Sequence, residues 1–404
     1  MSAEAWRLPR RSSFGRSRVH AVAGCYFVAS FAALGLPPYL TRILPEFGDG
    51  AARWAGVLYV VPTVFGALGA PFWGRLADRF GRKRLLLRAQ LGLAVAFLLA
   101  GWADSLATFT VALILQGVLG GTFAASNGYL GAALEGSALS KALTLMQGSA
   151  RAALVVAPIV VGALSGWLSP HRQYALLAVL PLTAALLLAA LPEPGEEGPA
   201  ESIPGTTVST PASGPVVSLR TLYALEFAFV FSTVISFPYL ISLVEDQLPG
   251  TSATLSGVLF ALPHLVYLVS ALAVHAAVRD RPRTGIVLGF ACIALGLAGH
   301  GFADSLSALV AVRLVLGAGL TLGLVSLSVL AADCAKGRAP GGMFGSLEFF
   351  SKAGAVAAGL AAAAGSARFG PAAPVLTGSG AAVLTVLAAP FLLNPHSHRA
   401  RWSR

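Results

Sequence analysis

The chain has 404 residues, of which 56% are apolar and only 11% charged. A soluble domain carries about a quarter charged residues, so this composition excludes an ordinary water-soluble fold and makes lipid the surrounding medium. The net charge of +11 would suggest nucleic acid in a soluble protein, but here the basic residues stand in short stretches between apolar runs, which excludes nucleic acid as a partner.

Taken in order, the chain opens with a basic segment (1–18) and an apolar run, Val19 to Leu40. The run is too long for the core of a secretory signal and lacks a small-residue cleavage site, so it reads as a first spanning helix. A helix needs about 20 mostly apolar residues to cross the hydrocarbon. Twelve runs qualify: 19–40, 51–74, 85–103, 106–129, 142–168, 173–191, 219–243, 252–278, 284–302, 305–331, 342–366 and 372–393. With the N-terminus inside, 21 of the 28 Lys and Arg residues fall on cytoplasmic segments. Outer loops hold Arg42, Arg53, Arg172 and Arg368, and the spans hold Arg151, Arg313 and Lys352. This asymmetry puts both termini in the cytoplasm of a multi-pass inner-membrane protein. Cys25, Cys292 and Cys334 lie in or beside apolar runs and read as packing residues, with no spacing for disulfides or zinc.

The stretch 192–218 is rich in Pro, Gly, Ser and Thr and carries Glu193, Glu196, Glu197 and Glu201. It buries too little to fold and reads as a flexible cytoplasmic linker. It separates a six-helix bundle over 19–191 from another over 219–393, with a cytoplasmic tail at 394–404. The bundles are copies. Pro38-Tyr39-Leu40 matches Pro238-Tyr239-Leu240, and Gly56-Val57-Leu58 with Pro62 matches Gly257-Val258-Leu259 with Pro263. Ala103-Asp104-Ser105-Leu106 matches Ala303-Asp304-Ser305-Leu306, Gly117 matches Gly317, and Gly148-Ser149 matches Gly345-Ser346 after a three-residue shift. Six spans separate the copies, so both share one membrane orientation. The expected fold is all-α and integral to the membrane: two six-helix bundles related by a pseudo-twofold along the membrane normal, enclosing a central cavity.

Between spans 2 and 3 stands Gly74-Arg75-Leu76-Ala77-Asp78-Arg79-Phe80-Gly81-Arg82-Lys83-Arg84. Gly74 permits close helix approach, Gly81 a tight turn, and Asp78 is the lone acid among cations. The positive-inside rule alone accounts for several of these arginines. As a whole the run resembles the loop signature of the major facilitator superfamily, and a twelve-span chain in two copies extends that resemblance over its full length. The resemblance implies a cytoplasmic gate in which Asp78 acts with Gly74, Arg79, Gly81 and Arg82. The related loop Arg279-Asp280-Arg281-Pro282-Arg283 lacks the glycines.

Exporters of this superfamily often carry Gly-Pro-x-x-Gly-Gly on span 5. Here Ala157-Pro158-Ile159-Val160-Val161-Gly162 keeps Pro158 and Gly162, which fits either that pattern or an ordinary proline kink. Leu34-Gly35-Leu36-Pro37-Pro38 is similar to a pattern of drug-efflux members. The family's arginine on span 4 is replaced by Leu113, three residues before Gln116-Gly117, and the repeat-related position is Arg313.

Ionisable side chains in hydrocarbon are functional candidates. Arg151, Glu226, Arg313, Glu348 and Lys352 are the candidates for proton coupling. Glu348 and Lys352 are four apart and suited to neutralise one another. Arg151 aligns with Glu348 across the repeat, and the resemblance puts spans 5 and 11 together, which predicts an Arg151–Glu348 bridge between the halves. Glu226 either takes up and releases a proton in the cavity or reaches the surface near Arg220. Cavity candidates are Tyr26, Ser30, Gln116, Asn127, Phe229, Ser232 and His264, a mixture suited to an amphiphilic ligand more than to a sugar.

The expected function is secondary active export of a small organic molecule, a drug-like amphiphile or a secreted metabolite such as a siderophore, driven by proton entry. The proton gradient is the energy source, with no cofactor and no metal. The expected partners are substrate, protons and lipid, and the expected state is a monomer. A proton-coupled nutrient importer is the rival within the fold. A membrane enzyme would need a nucleophile or metal cluster, and a sensor an output domain; neither pattern stands in the sequence. No nucleotide-binding loop is visible either.

Overall fold

The computed structural model of the chain describes residues 16–122, 125–126, 130, 136–190, 217–335 and 340–393. Residues 192–216 of the linker 192–218, the tail 394–404, residues 1–15 and Asn127 lie outside the described residues. The long helices are α1 (Arg16–Gly35), α2 (Ala55–Phe80), α3 (Arg82–Gly101), α4 (Leu106–Leu119), α5 (Gly136–Leu164) and α6 (Pro170–Ala190) in the first half. In the second half they are α7 (Leu219–Val234), α8 (Ala253–Val278), α9 (Pro282–His300), α10 (Leu306–Ala335), α11 (Pro340–Phe369) and α12 (Ala373–Leu392). Ten of them are long and apolar enough to cross a membrane among the described residues, α4 and α7 being shorter. Val269, Leu272, Leu384 and Phe391 stand exposed on helix surfaces, as expected where the solvent is lipid rather than water.

Much of the repeat signal marks where helices begin. Ser105 Oγ accepts the Thr108 N–H at 3.2 Å at the start of α4, and Ser305 Oγ accepts the Ala308 N–H at 3.3 Å at the start of α10. Each supplies a partner for an amide that the first helical turn leaves unpaired.

Two predicted spans end earlier than the apolar pattern suggests. α1 stops at Gly35, and Pro37–Tyr39 and Leu40–Ile43 follow as short helical turns; α7 stops at Val234, and Leu240–Gln247 is a separate short helix. Both breaks fall at the Pro-Tyr-Leu repeat. The run 106–129 is also interrupted: α4 ends at Leu119, and Gly121 adopts φ 91°, a left-handed conformation suited to glycine.

Each half has its own core. Phe97, Phe109 and Tyr174 meet edge-on in the first, and Phe229 and Phe290 in the second. The halves join through two symmetric crossings, α2 on α11 and α5 on α8. This corrects the expectation that α5 lies against α11. Under the pseudo-twofold, α2 corresponds to α8 and α5 to α11, so one crossing requires the other.

Candidate functional site

The connections between helices define two faces. One carries the α2–α3 and α8–α9 turns; the opposite, far face carries the Pro-Tyr-Leu breaks. At the α2–α3 turn, Gly74, Asp78 and Arg79 belong to the last turns of α2, Gly81 turns the chain with φ 90°, and Arg82 opens α3. The Arg79 guanidinium lies 5.4 Å from the Phe80 ring. The side chains of Asp78 and Arg82 lie outside the described residues.

A cavity of about 490 Å³ lies in the first half, with Tyr59, Trp73, Arg88, Gln116 and Tyr174 in its wall and Lys352 reaching it from α11. That volume suits a small organic molecule. Gln116 Oε1 is buried without a hydrogen-bond donor, so a ligand with an N–H or O–H would satisfy it. Arg88 and Trp73 form one wall: the guanidinium stacks 3.4 Å over the indole and donates to the carbonyls of Leu119 at 2.8 Å and Gly120 at 3.2 Å. Trp73 Nε1 donates to the Val118 carbonyl at 2.6 Å. The end of α4 therefore has donors for the carbonyls its glycine break frees.

Beside the junction of the halves lies a group of charged and polar side chains. Arg151 of α5 places Nη1 3.4 Å from His264 Nδ1 on α8 and lies 5.5 Å from the Tyr267 ring. Glu226 of α7 is partly buried, lies beside Ser351 of α11, and is within electrostatic reach of Arg151 and Glu348. Tyr26 of α1 lies in the field of Arg151 and Glu348. Glu348 itself pairs with Lys352 at 3.4 Å. An acid, a cation from the other half and the Glu348–Lys352 ion pair thus stand where the bundles meet, next to the cavity that Lys352 lines.

The family described as Major Facilitator Superfamily matches residues 22–298, more than half of the chain. The chain belongs to the major facilitator superfamily. Solved structures share the fold of this chain at low identity. A D-xylose-proton symporter superposes with a TM-score of 0.74 at 13% identity, covering 94% of this chain and 98% of that one. A POT family transporter in complex with 5-aminolevulinic acid gives 0.73 at 12%, covering 96% and 99%. Among curated proteins, the chain is similar to the multidrug resistance protein MdtG of Proteus mirabilis (strain HI4320), 30% identical over 183 residues and 44% of each chain. It is also similar to MdtG of Serratia proteamaculans (strain 568), 32% identical over 184 residues, 45% of this chain and 43% of the relative. The matched segment spans less than half the length of these relatives.

The structure redistributes the expected site residues of this major facilitator. Arg151, Glu226, Glu348, Lys352, Tyr26 and His264 come together, but the Arg151–Glu348 bridge is replaced by the Glu348–Lys352 and Arg151–His264 contacts. Arg313 stands apart from this group, bound to backbone. Its Nε and Nη2 each donate at 2.7 Å, to the carbonyls of Leu259 and Phe260. Pro263 has no N–H to give the Leu259 carbonyl, so Arg313 replaces that lost bond and braces the kink. Phe229 is 3% exposed and packs against Phe290 and Gly323. Ser30 and Ser232 are buried, each with its hydroxyl lacking a partner, and among the described cavity candidates only Gln116 lines this cavity.

Pro158 and Gly162 sit where α5 crosses α8: Tyr39 Oη donates to the Pro158 carbonyl at 2.6 Å, and a Cβ at Gly162 would run into the Ala253 carbonyl. Sequence reasoning missed Arg88, Trp73, Ser351 and Tyr267. Arg88 was hidden among the cations of the α2–α3 turn, and the others carry no signal apart from the neighbours that the fold gives them.

Proposed function

We propose that this protein exports a small amphiphilic organic molecule in exchange for protons, by alternating exposure of its central site to the two sides of the membrane. The observation that carries the reading is Glu226, a partly buried acid on α7 beside Ser351 of α11 and within electrostatic reach of Arg151 of the opposite half. A carboxylate at such a junction is suited to exchange a proton for a cation as the halves rock, because the separation of Glu226 from Arg151 changes with the rocking. The nearby cavity, mostly apolar with Gln116 as a hydrogen-bond acceptor, suits an amphiphile. The MdtG relatives bear the name multidrug resistance protein, which agrees with export. The distribution of Lys and Arg supports insertion in the inner membrane with both termini cytoplasmic, so the far face is periplasmic. Within this reading, residues 192–218 link the bundles, and the signature at Gly74, Asp78, Arg79, Gly81 and Arg82 gates the cytoplasmic face.

Uptake into everted vesicles of a panel of fluorescent amphiphiles, cationic, neutral and anionic, tests direction and class together. Accumulation driven by an inward-acid gradient and abolished by a protonophore is expected for at least one class. Uptake only into right-side-out vesicles would reverse the direction. Asp78→Asn should leave the folded protein in the membrane but slow turnover several-fold; a wild-type rate would remove Asp78 from the gate.

A further inference from the structure

The matched Pro-Tyr-Leu segments end on the far face, and each tyrosine reaches across the junction. Tyr39 is 0% and Tyr239 4% exposed. Tyr39 Oη lies 2.6 Å from the Pro158 carbonyl in its own half and 3.0 Å from the Ala253 carbonyl in the other. Tyr239 Oη has both partners in the opposite half: it accepts the Gly56 N–H at 3.1 Å and donates to the Arg53 carbonyl at 3.1 Å. The crossings beneath are tight enough for these reaches only because the repeat places glycines there. A Cβ at Gly56 would run into the Gly359 carbonyl, and one at Gly257 into the Pro158 carbonyl.

We propose that the two tyrosines form an unequal latch that holds the far face shut, Tyr239 providing the hold and Tyr39 keeping a partner when the halves part. A phenol has one proton, so Tyr39 serves one carbonyl at a time. If Ala253 withdraws, Pro158 stays within reach on the same half and the hydroxyl loses little. Tyr239 has no such alternative among its two bonds. Parting takes away its acceptor and its donor, and it strips a cap from the first turn of α2, where amides have no partner within the helix. The neighbouring Arg42–Glu245 ion pair also joins the two short helices, with side chains 29% and 35% exposed, and it is kept in both tyrosine variants, so comparing them reads the hydroxyls alone. Two copies of one motif thus do different work, one fastening and one permitting release.

The latch concerns closure of one face and needs neither substrate nor proton, so its failure and that of the export reading are separable. The test is electron–electron distance measurement on the full chain in lipid nanodiscs, without substrate or gradient. Spin labels go on Asp49→Cys and Asp246→Cys, exposed positions in opposite halves, with Cys25, Cys292 and Cys334 replaced by Ala. Tyr239→Phe should raise the ratio of long to short distances roughly tenfold, the loss of two hydrogen bonds, and Tyr39→Phe at most about twofold. Phenylalanine keeps the ring, so the fold is retained. Gly56→Ala, which wedges the same crossing with both hydroxyls present, should also lengthen the distances. As a second readout, the peptide containing Gly56 should exchange its amide hydrogens faster in Tyr239→Phe and not in Tyr39→Phe. An unchanged distance distribution and exchange rate in Tyr239→Phe, or equal shifts in both phenylalanine variants, overturns the proposal.

Discussion

Pro263 leaves the Leu259 carbonyl without its helical donor, and Arg313 fills the gap from α10 while also binding the Phe260 carbonyl. The buried guanidinium is therefore tied to backbone. Arg313→Met should lower stability by about 1–3 kcal/mol, the cost of buried carbonyls left unpaired. Thermal unfolding in detergent checks this, and gradient-driven flux in the surviving protein should keep its wild-type pH profile. The Glu348–Lys352 pair is different in kind. Its side chains are 65% and 40% exposed, so Lys352→Ala should cost less than about 1 kcal/mol by the same measurement. A much larger loss would mean that Lys352 holds more than its i+4 partner. The intramembrane position of these charges was legible from their place in apolar runs. Their division into structural and mobile groups was not, because it depends on the neighbours that α8 and α11 bring.

At the scale of the element, the broken helices carry the most information. An apolar run long enough to span predicts a helix through 40, 129 and 243, since hydropathy does not distinguish a continuous helix from one that turns while still buried. Pro37 and Pro38 marked the first break in the sequence. The glycine break after α4 also needed Arg88, whose two bonds to the Leu119 and Gly120 carbonyls sit on a helix beginning at the signature loop. Arg88→Gln should destabilise the first half by about 1–3 kcal/mol by leaving those carbonyls unmatched. Limited proteolysis of the membrane-embedded protein should show faster cleavage after α4, and unchanged cleavage would mean that water serves those carbonyls as well.

For the whole molecule, the duplication was legible because the repeated residues occupy positions that two equivalent bundles must fill in the same way. Ser105 and Ser305 cap helices, Gly56 and Gly257 lie at crossings, and Tyr39 and Tyr239 bond across the junction. What the duplication did not disclose is where the halves differ. Leu113 stands opposite Arg313, and Arg151 opposite Glu348, and each departure acquires its meaning from contacts made between helices distant in sequence. The central claim, that Glu226 carries the proton that drives export, is tested most directly in proteoliposomes loaded with a transported fluorescent amphiphile under an imposed pH gradient. Wild-type protein should move the probe against its concentration until a protonophore collapses the gradient. Glu226→Gln should lose that uphill movement while still exchanging labelled for unlabelled probe at equilibrium. Uphill transport retained in Glu226→Gln would contradict the account.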